Sequence, residues 1–135
     1  MIAPTLVSHS SSVALEPEEV RRLVSIGFHG VLNGKPEAAL RLFESLCTVR
    51  PDAGFPRIGC ALALIAMGRA EEAVRVLEET LRRRPDDDDV RVYLGMTLRM
   101  ANRGQQAGAV LTTLAERNDD SARTRLARQL LKLSL

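Results

Sequence analysis

The sequence is poor in the residues that build many kinds of functional site. It has no tryptophan, one tyrosine and three phenylalanines, 3% aromatic in all, so the stacked platforms that hold single-stranded bases or flat cofactors are not supplied. Cys47 and Cys60 stand at no metal-ligand spacing and make no disulfide framework, so a reducing compartment and a metal-free chain are expected. His29 has neither a carboxylate nor a cysteine four residues on, and His9 lies near the N-terminus, so neither reads as a catalytic base or a ligand. No glycine-rich phosphate cradle, HExxH helix or nucleophile elbow occurs, which leaves an enzyme without a starting point. Neither sign of charge is in excess: 19 Lys and Arg face 17 Asp and Glu, a formal +2, and nucleic acid is not implied as a partner. The longest apolar run, Ile58 to Met67, is ten residues, whereas a membrane-spanning helix needs about 20. Residues 1–14 lack the basic and apolar regions of a secretory signal, and Ser8-His9-Ser10-Ser11-Ser12 reads as part of a mobile tail ahead of a single folded domain, 15–135.

What the 135 residues do have is 45% hydrophobic content, enough for one core, and a period. Asn33-Gly34-Lys35-Pro36-Glu37-Ala38-Ala39-Leu40 aligns with Met67-Gly68-Arg69-Ala70-Glu71-Glu72-Ala73-Val74 at an offset of 34 residues. Pro51-Asp52 and Pro85-Asp86 keep that offset. Gly27, Ala61 and Gly95 form a threefold series on it, as do Ala39, Ala73 and Ala107. Agreement at several positions marks a stack of equal supersecondary units, here at about 20–53, 54–87 and 88–119. The third copy is weaker, with Asn102 in place of the turn glycine and Asp119 in place of the closing proline.

Each copy reads as helix, turn, helix. A glycine at the turn permits the positive φ that ends the first helix, and the alanine five residues later lets the second pack closely. Pro17 and Pro36 suit first-turn positions, and Asp52 and Asp86 suit N-caps. Seven helices are expected, at about 17–33, 36–49, 53–67, 70–83, 87–101, 104–117 and 121–133. The last carries Leu126, Leu130 and Leu133 on one stripe and caps the open end of the stack. The fold class is therefore all-α: a solenoid of three helix pairs plus a C-terminal capping helix.

This pattern resembles the tetratricopeptide repeat over about residues 20–119. Gly27, Gly34, Ala39, Phe43 and Pro51 match in the first copy, Ala61, Gly68, Ala73, Leu77 and Pro85 in the second, and Gly95, Ala107 and Leu111 in the third. The aromatic usual near the start of each first helix is replaced by Leu23, Arg57 and Arg91, which marks a divergent member. From Phe55 to Met67 the only polar side chain is Arg57, more apolar surface than one packed stripe needs. The resemblance implies that the surplus stripe of each first helix faces a concave groove that holds ligands. Carried over position by position, the groove is lined by Val24, Phe28, Val31, Leu32, Phe55, Ile58, Leu62, Ile65, Val92, Met96 and Met100, broken by Arg21, Asp89 and Arg99. An aliphatic groove with two adaptable methionines and no basic clamp suits an amphipathic helix. The alternative is that these side chains fill a small, strongly curved core or a homodimer interface.

Arg82-Arg83-Arg84 and Asp86-Asp87-Asp88-Asp89 read as solvated charges that complement the ends of successive helices. Arg117, Arg123, Arg125, Arg128 and Lys132 read as the wet face of the closing helix, with contact to an acidic surface as the alternative. A short three-repeat chain with a closing helix is similar to the cytoplasmic chaperones of bacterial type III secretion. The segments Phe43-Glu44-Ser45-Leu46-Cys47-Thr48-Val49-Arg50-Pro51 and Val110-Leu111-Thr112-Thr113-Leu114-Ala115-Glu116-Arg117-Asn118-Asp119-Asp120, and the end Arg128-Gln129-Leu130-Leu131-Lys132, carry that likeness. It implies a cytoplasmic, cofactor-free binding protein. Its partner is a secreted needle-type or translocator subunit, whose amphipathic helix it covers to prevent premature self-assembly, with a small co-chaperone or a second copy as a further partner. The alternative function is a self-associating repeat scaffold or adaptor with no secretion role.

Overall fold

The computed structural model describes residues 15–132. The expected tail, 1–14, and Leu133 of the closing stripe lie outside the described residues. Within them the chain forms seven α-helices and no strand: α1 Pro17–Leu32, α2 Pro36–Val49, α3 Phe55–Ala66, α4 Ala70–Arg83, α5 Asp88–Met100, α6 Gly104–Ala115 and α7 Ala122–Lys132. Local chemistry sets most ends. Pro17 opens α1 behind a capping box in which the Glu16 amide donates to the Glu19 carboxylate at 2.9 Å. Ser121 starts α7, its hydroxyl accepting the Thr124 amide at 3.2 Å, while Asp119 accepts the Ser121 amide at 3.0 Å and the Thr124 hydroxyl at 2.7 Å. The Ser121 amide and the Thr124 hydroxyl hold the Asp119 carboxyl below its usual pKa.

The turns inside the pairs repeat in three dimensions. Gly34 and Gly68 sit at φ 77° and 76°, and Asn102 takes the same left-handed conformation at φ 63°. Asparagine is among the residues best able to tolerate that region, so the third copy is weaker in sequence and intact in geometry. Asn102→Ala is expected to cost about 1 kcal/mol, whereas Asn102→Gly is not, as urea melts of the two variants would show.

Two expectations about capping are corrected. Pro51-Asp52 and Pro85-Asp86 are the middles of β-turns closed by Ala53 N–H to Arg50 C=O at 3.1 Å and Asp87 N–H to Arg84 C=O at 3.0 Å, with proline at its preferred second position. The cap therefore moves one residue on. Asp87, not Asp86, accepts the Val90 amide at 3.1 Å, and α3 starts behind Gly54 with no side-chain cap. The arginines before these turns share a role that the period did not announce. Arg50 donates to the Leu15 carbonyl at 2.9 Å and Arg84 to the Asp52 carbonyl, so each ties the end of a second helix to the chain just before the first helix of its own pair.

The acidic run is also more than solvated charge. Asp88 pairs with Arg117 and Asp89 with Arg123, at 2.8 and 2.6 Å, tying the start of α5 to the end of α6 and to α7. Arg128 donates to the Ala115 and Arg117 carbonyls at 3.0 and 2.9 Å, and Arg125 pairs with Asp120. These arginines of the closing helix are thus engaged inside the chain, because the C-terminal carbonyls of α6 and the acidic start of α5 both present acceptors to α7.

The core runs along the stack in three clusters, and each helix packs on its sequence neighbours. The first centres on Phe43 with Ala39, Leu46, Cys60 and Ala63. The second is built on Leu64, Val74, Leu77, Leu94 and Leu98, and the third on Val92, Leu111, Leu114 and Ala127. Phe43 is fully buried in a slot made by two glycines. A Cβ on Gly27 would stand 2.6 Å from the ring, and one on Gly59 would stand 2.2 Å from it. Gly59→Ala gains about 1 kcal/mol in helix propensity. It is nevertheless expected to be destabilising by about 1–3 kcal/mol overall, because the ring has no room to yield; guanidinium denaturation measures the sign.

Candidate functional site: the inner face of the solenoid

Beyond the sequential packing, α1 touches α3, α3 touches α5 and α5 touches α7, while no two of α2, α4 and α6 make comparable contact among the described residues. Elements on the inside of an arc are closer than those on the outside, so α1, α3, α5 and α7 form the concave face. Two rows of equivalent residues run along it. Phe28, Leu62 and Met96 form one, and Val31, Ile65 and Arg99 the other; all six are half-buried. Phe28 lies 5.1 Å from Phe43, ring centre to ring centre, at a tilt of 58°. Leu62 and Ile65 pack on the central cluster and Met96 on the third. These residues share their area between the core and the surface.

The structure separates the expected groove residues into three groups. Phe55 and Met100 are open to solvent, 38% and 56% exposed, and Leu32 at 82% is more open still. Val24, Phe28, Val31, Leu62, Ile65 and Met96 are half-buried. Ile58 and Val92 are core: Ile58 is 7% exposed in the central cluster, and Val92 is 2% exposed beneath Leu111, Leu114 and Ala127. Val24, Ile58 and Val92 occupy the same repeat position, so the period alone did not decide how deeply each is covered. For Val92 the cover is α7, which packs on α5 as α5 packs on α3 and α3 on α1.

Two of the exposed residues, Phe55 and Met100, each anchor a cavity, one beside the starts of α1 and α3 and one between the end of α5 and α7. Phe55 and Val24 line a cavity of about 370 Å³ with Pro17, Val20, Arg21 and Arg50. Met96 and Met100 line another of about 260 Å³ with Arg99 and Leu130. Both are apolar with arginine at the rim. Arg21 reaches Glu18 at 3.5 Å and is largely exposed, so its charge is felt at the cavity mouth. The sequence reading took Arg21 and Arg99 as interruptions of the groove, whereas the structure sets each beside an apolar cavity. Leu130 was missed as a lining residue, since it was assigned to the closing helix's packing stripe. Among the described residues no group of three or more His, Cys, Asp or Glu is placed to hold a metal ion, and no helix is long and apolar enough to cross a membrane.

A stack of equal helix pairs, each packed on the next, defines a helical-repeat solenoid. The tetratricopeptide repeat profile matches residues 31–90 and 64–131, and the chain belongs to the tetratricopeptide repeat family. The curated proteins contain no match to the sequence. Solved structures do resemble it. The Yersinia enterocolitica type III secretion chaperone SycD, in complex with a peptide of the translocator YopD, superposes with a TM-score of 0.69 at 16% identity over 88% of this chain and 94% of that one. PcrH in complex with the chaperone binding region of PopD gives 0.68 at 15% identity, covering 90% and 94%. A tetratricopeptide repeat protein from Parabacteroides merdae gives 0.72 at 18% identity, covering 88% of this chain and 46% of that one.

Proposed function

We propose that this chain is a cytoplasmic chaperone of type III secretion that holds an amphipathic segment of a translocator-type export substrate on its inner face, so that the substrate does not self-associate before export. The observation that carries this reading is the pair of apolar, arginine-rimmed cavities around Phe55 and Met100 on one concave surface. Such a surface fits a segment with two apolar anchors and acidic residues beside them. The extent of the likeness supports the choice within the family. This chain spans 94% of the SycD and PcrH chains, each solved with a translocator segment, but 46% of the Parabacteroides protein. The match thus takes in most of each of those solved chains. Binding of this sort needs no cofactor or catalytic group.

A second reading, a self-associating scaffold, is favoured by Ile26 and Leu32, both exposed on α1, the first helix of the stack. Co-expression with a translocator of the same cell, followed by size-exclusion chromatography with light scattering, separates the two. A complex with substrate whose formation protects an amphipathic segment from protease supports the chaperone. A homodimer that excludes the substrate supports the scaffold and ends the chaperone reading. The chain has no tryptophan, so a tryptophan placed in the substrate segment reports docking without background.

A further inference from the structure

The only two cysteines in the chain are 13 residues apart in sequence, on different helices, and the fold brings them side by side. Cys47, in the last turns of α2, packs on the core cluster that holds Cys60, from the middle of α3, and the two thiols perturb each other. Both line a cavity of about 360 Å³ between α2, α3 and α4, away from the inner face. Cys47 is half-exposed to this cavity and Cys60 is buried behind it. We infer that Cys47 and Cys60 form a peroxide-reactive dithiol site, in which Cys47 is the attacking thiol, Cys60 the resolving thiol, and the product an intramolecular disulfide that ties α2 to α3.

The surroundings suit that division of labour. The charged groups facing the cavity are Glu44 from α2, Arg57 from α3, Arg69 just before α4, and Glu72 and Arg75 from α4. The neighbouring Cys60 thiol lowers the Cys47 pKa most, with Arg57 adding to it against burial and Glu44. The same neighbour effect, from Cys47, and burial raise that of Cys60. Cys47, lowered to about 7, is then the more readily ionised thiol and Cys60 the proton-bearing partner, the arrangement that makes one thiol nucleophilic and keeps the other in reserve. In the reaction the Cys47 thiolate attacks one oxygen of a hydroperoxide. The O–O bond breaks, and the departing oxygen takes a proton to leave as water or an alcohol, with Cys47 left as a sulfenic acid. The Cys60 sulfur attacks that sulfur, its proton leaves with the hydroxyl as water, and the S–S bond forms. Two thiols lose two electrons and the hydroperoxide gains them.

The test uses the full chain with hydrogen peroxide as the oxidant and intact mass as the readout. Wild type is expected to lose two hydrogen masses, to lose both alkylatable thiols, and to give one disulfide-linked peptide joining residues 47 and 60 that dithiothreitol releases. With Cys60→Ser, Cys47 is expected to accumulate as a sulfenic acid trapped by dimedone. With Cys47→Ser, Cys60 is expected to remain free. Without oxidant, at neutral pH, iodoacetamide should label Cys47 at least about tenfold faster than Cys60, with a pH midpoint below the ordinary thiol value. Retention of both free thiols after peroxide, cross-linking between two chains in place of one, or dimedone capture by Cys60 ahead of Cys47 would each overturn the assignment. Circular dichroism of the serine variants confirms that the comparison is between folded chains.

Discussion

Phe43→Ala is expected to lower the stability of the chain by about 3–5 kcal/mol, the largest effect of any single truncation here. The side chain is fully buried and meets all of its neighbours at once: Gly27 and Phe28 of α1, Gly59 and Cys60 of α3, and Ala39 and Leu46 of its own helix. Removing it opens a cavity walled by backbone at two glycines, where no side chain can swing in to fill the space, so relaxation recovers little. The corresponding change at Leu77, equally buried but set among larger neighbours, should fall lower in the usual range, about 2–4 kcal/mol. Urea denaturation followed by circular dichroism at several protein concentrations gives both values. Equal losses at the two sites would show that the glycine slot collapses.

The double variant Phe55→Asp, Met100→Lys is expected to abolish substrate binding, a loss of about 3 kcal/mol or more and so at least a hundredfold in affinity, with helical content unchanged. The two substitutions are chosen to spare the fold. Phe55 is the first residue of α3, whose first turn has no acidic side chain, and Met100 is the last residue of α5. Aspartate at a helix start and lysine at a helix end each complement the macrodipole. Both side chains are open to solvent, so neither change leaves a buried hole. Leu62→Asp is a poorer probe, because Leu62 packs on the central cluster and its loss confounds folding with binding. Ala38→Asp, exposed on α2 away from the inner face, serves as the control and should bind as wild type does. Undiminished binding by the double variant would remove the inner face from the mechanism.

Helix number and order were legible because they rest on local chemistry repeated at a fixed interval. Glycine, asparagine and proline punctuate the turns whatever lies around them, and the observed ends fall within two residues of those expected. The Pro-Asp pairs show where that logic stops. A proline-led turn and a proline-led cap read alike in sequence, and only the closing hydrogen bonds, to Arg50 and Arg84, tell them apart. The inner-face residues were half legible for a different reason. Position within a repeat says which way a side chain points, while burial depends on what lies beyond it. Val92 and Val24 point alike, yet Val92 is sealed by the closing helix. The cysteine contact was not legible at all, since 13 residues across a turn correspond to no helical period and only the packing of α2 on α3 brings the two together.

That slot also determines which pieces of the array are interchangeable. Phe43 belongs to the first 34-residue unit and Gly59 to the second, yet neither is tolerable without the other. A gene rearrangement that duplicated or shuffled this array at the sequence-defined boundary would part the ring from half of its seat. The seat of the ring is accordingly α1, α2 and α3 together, one whole pair joined to the front of the next. A cut within the pair, at the Gly34 turn, would part the ring from Gly27 just as a cut between pairs parts it from Gly59.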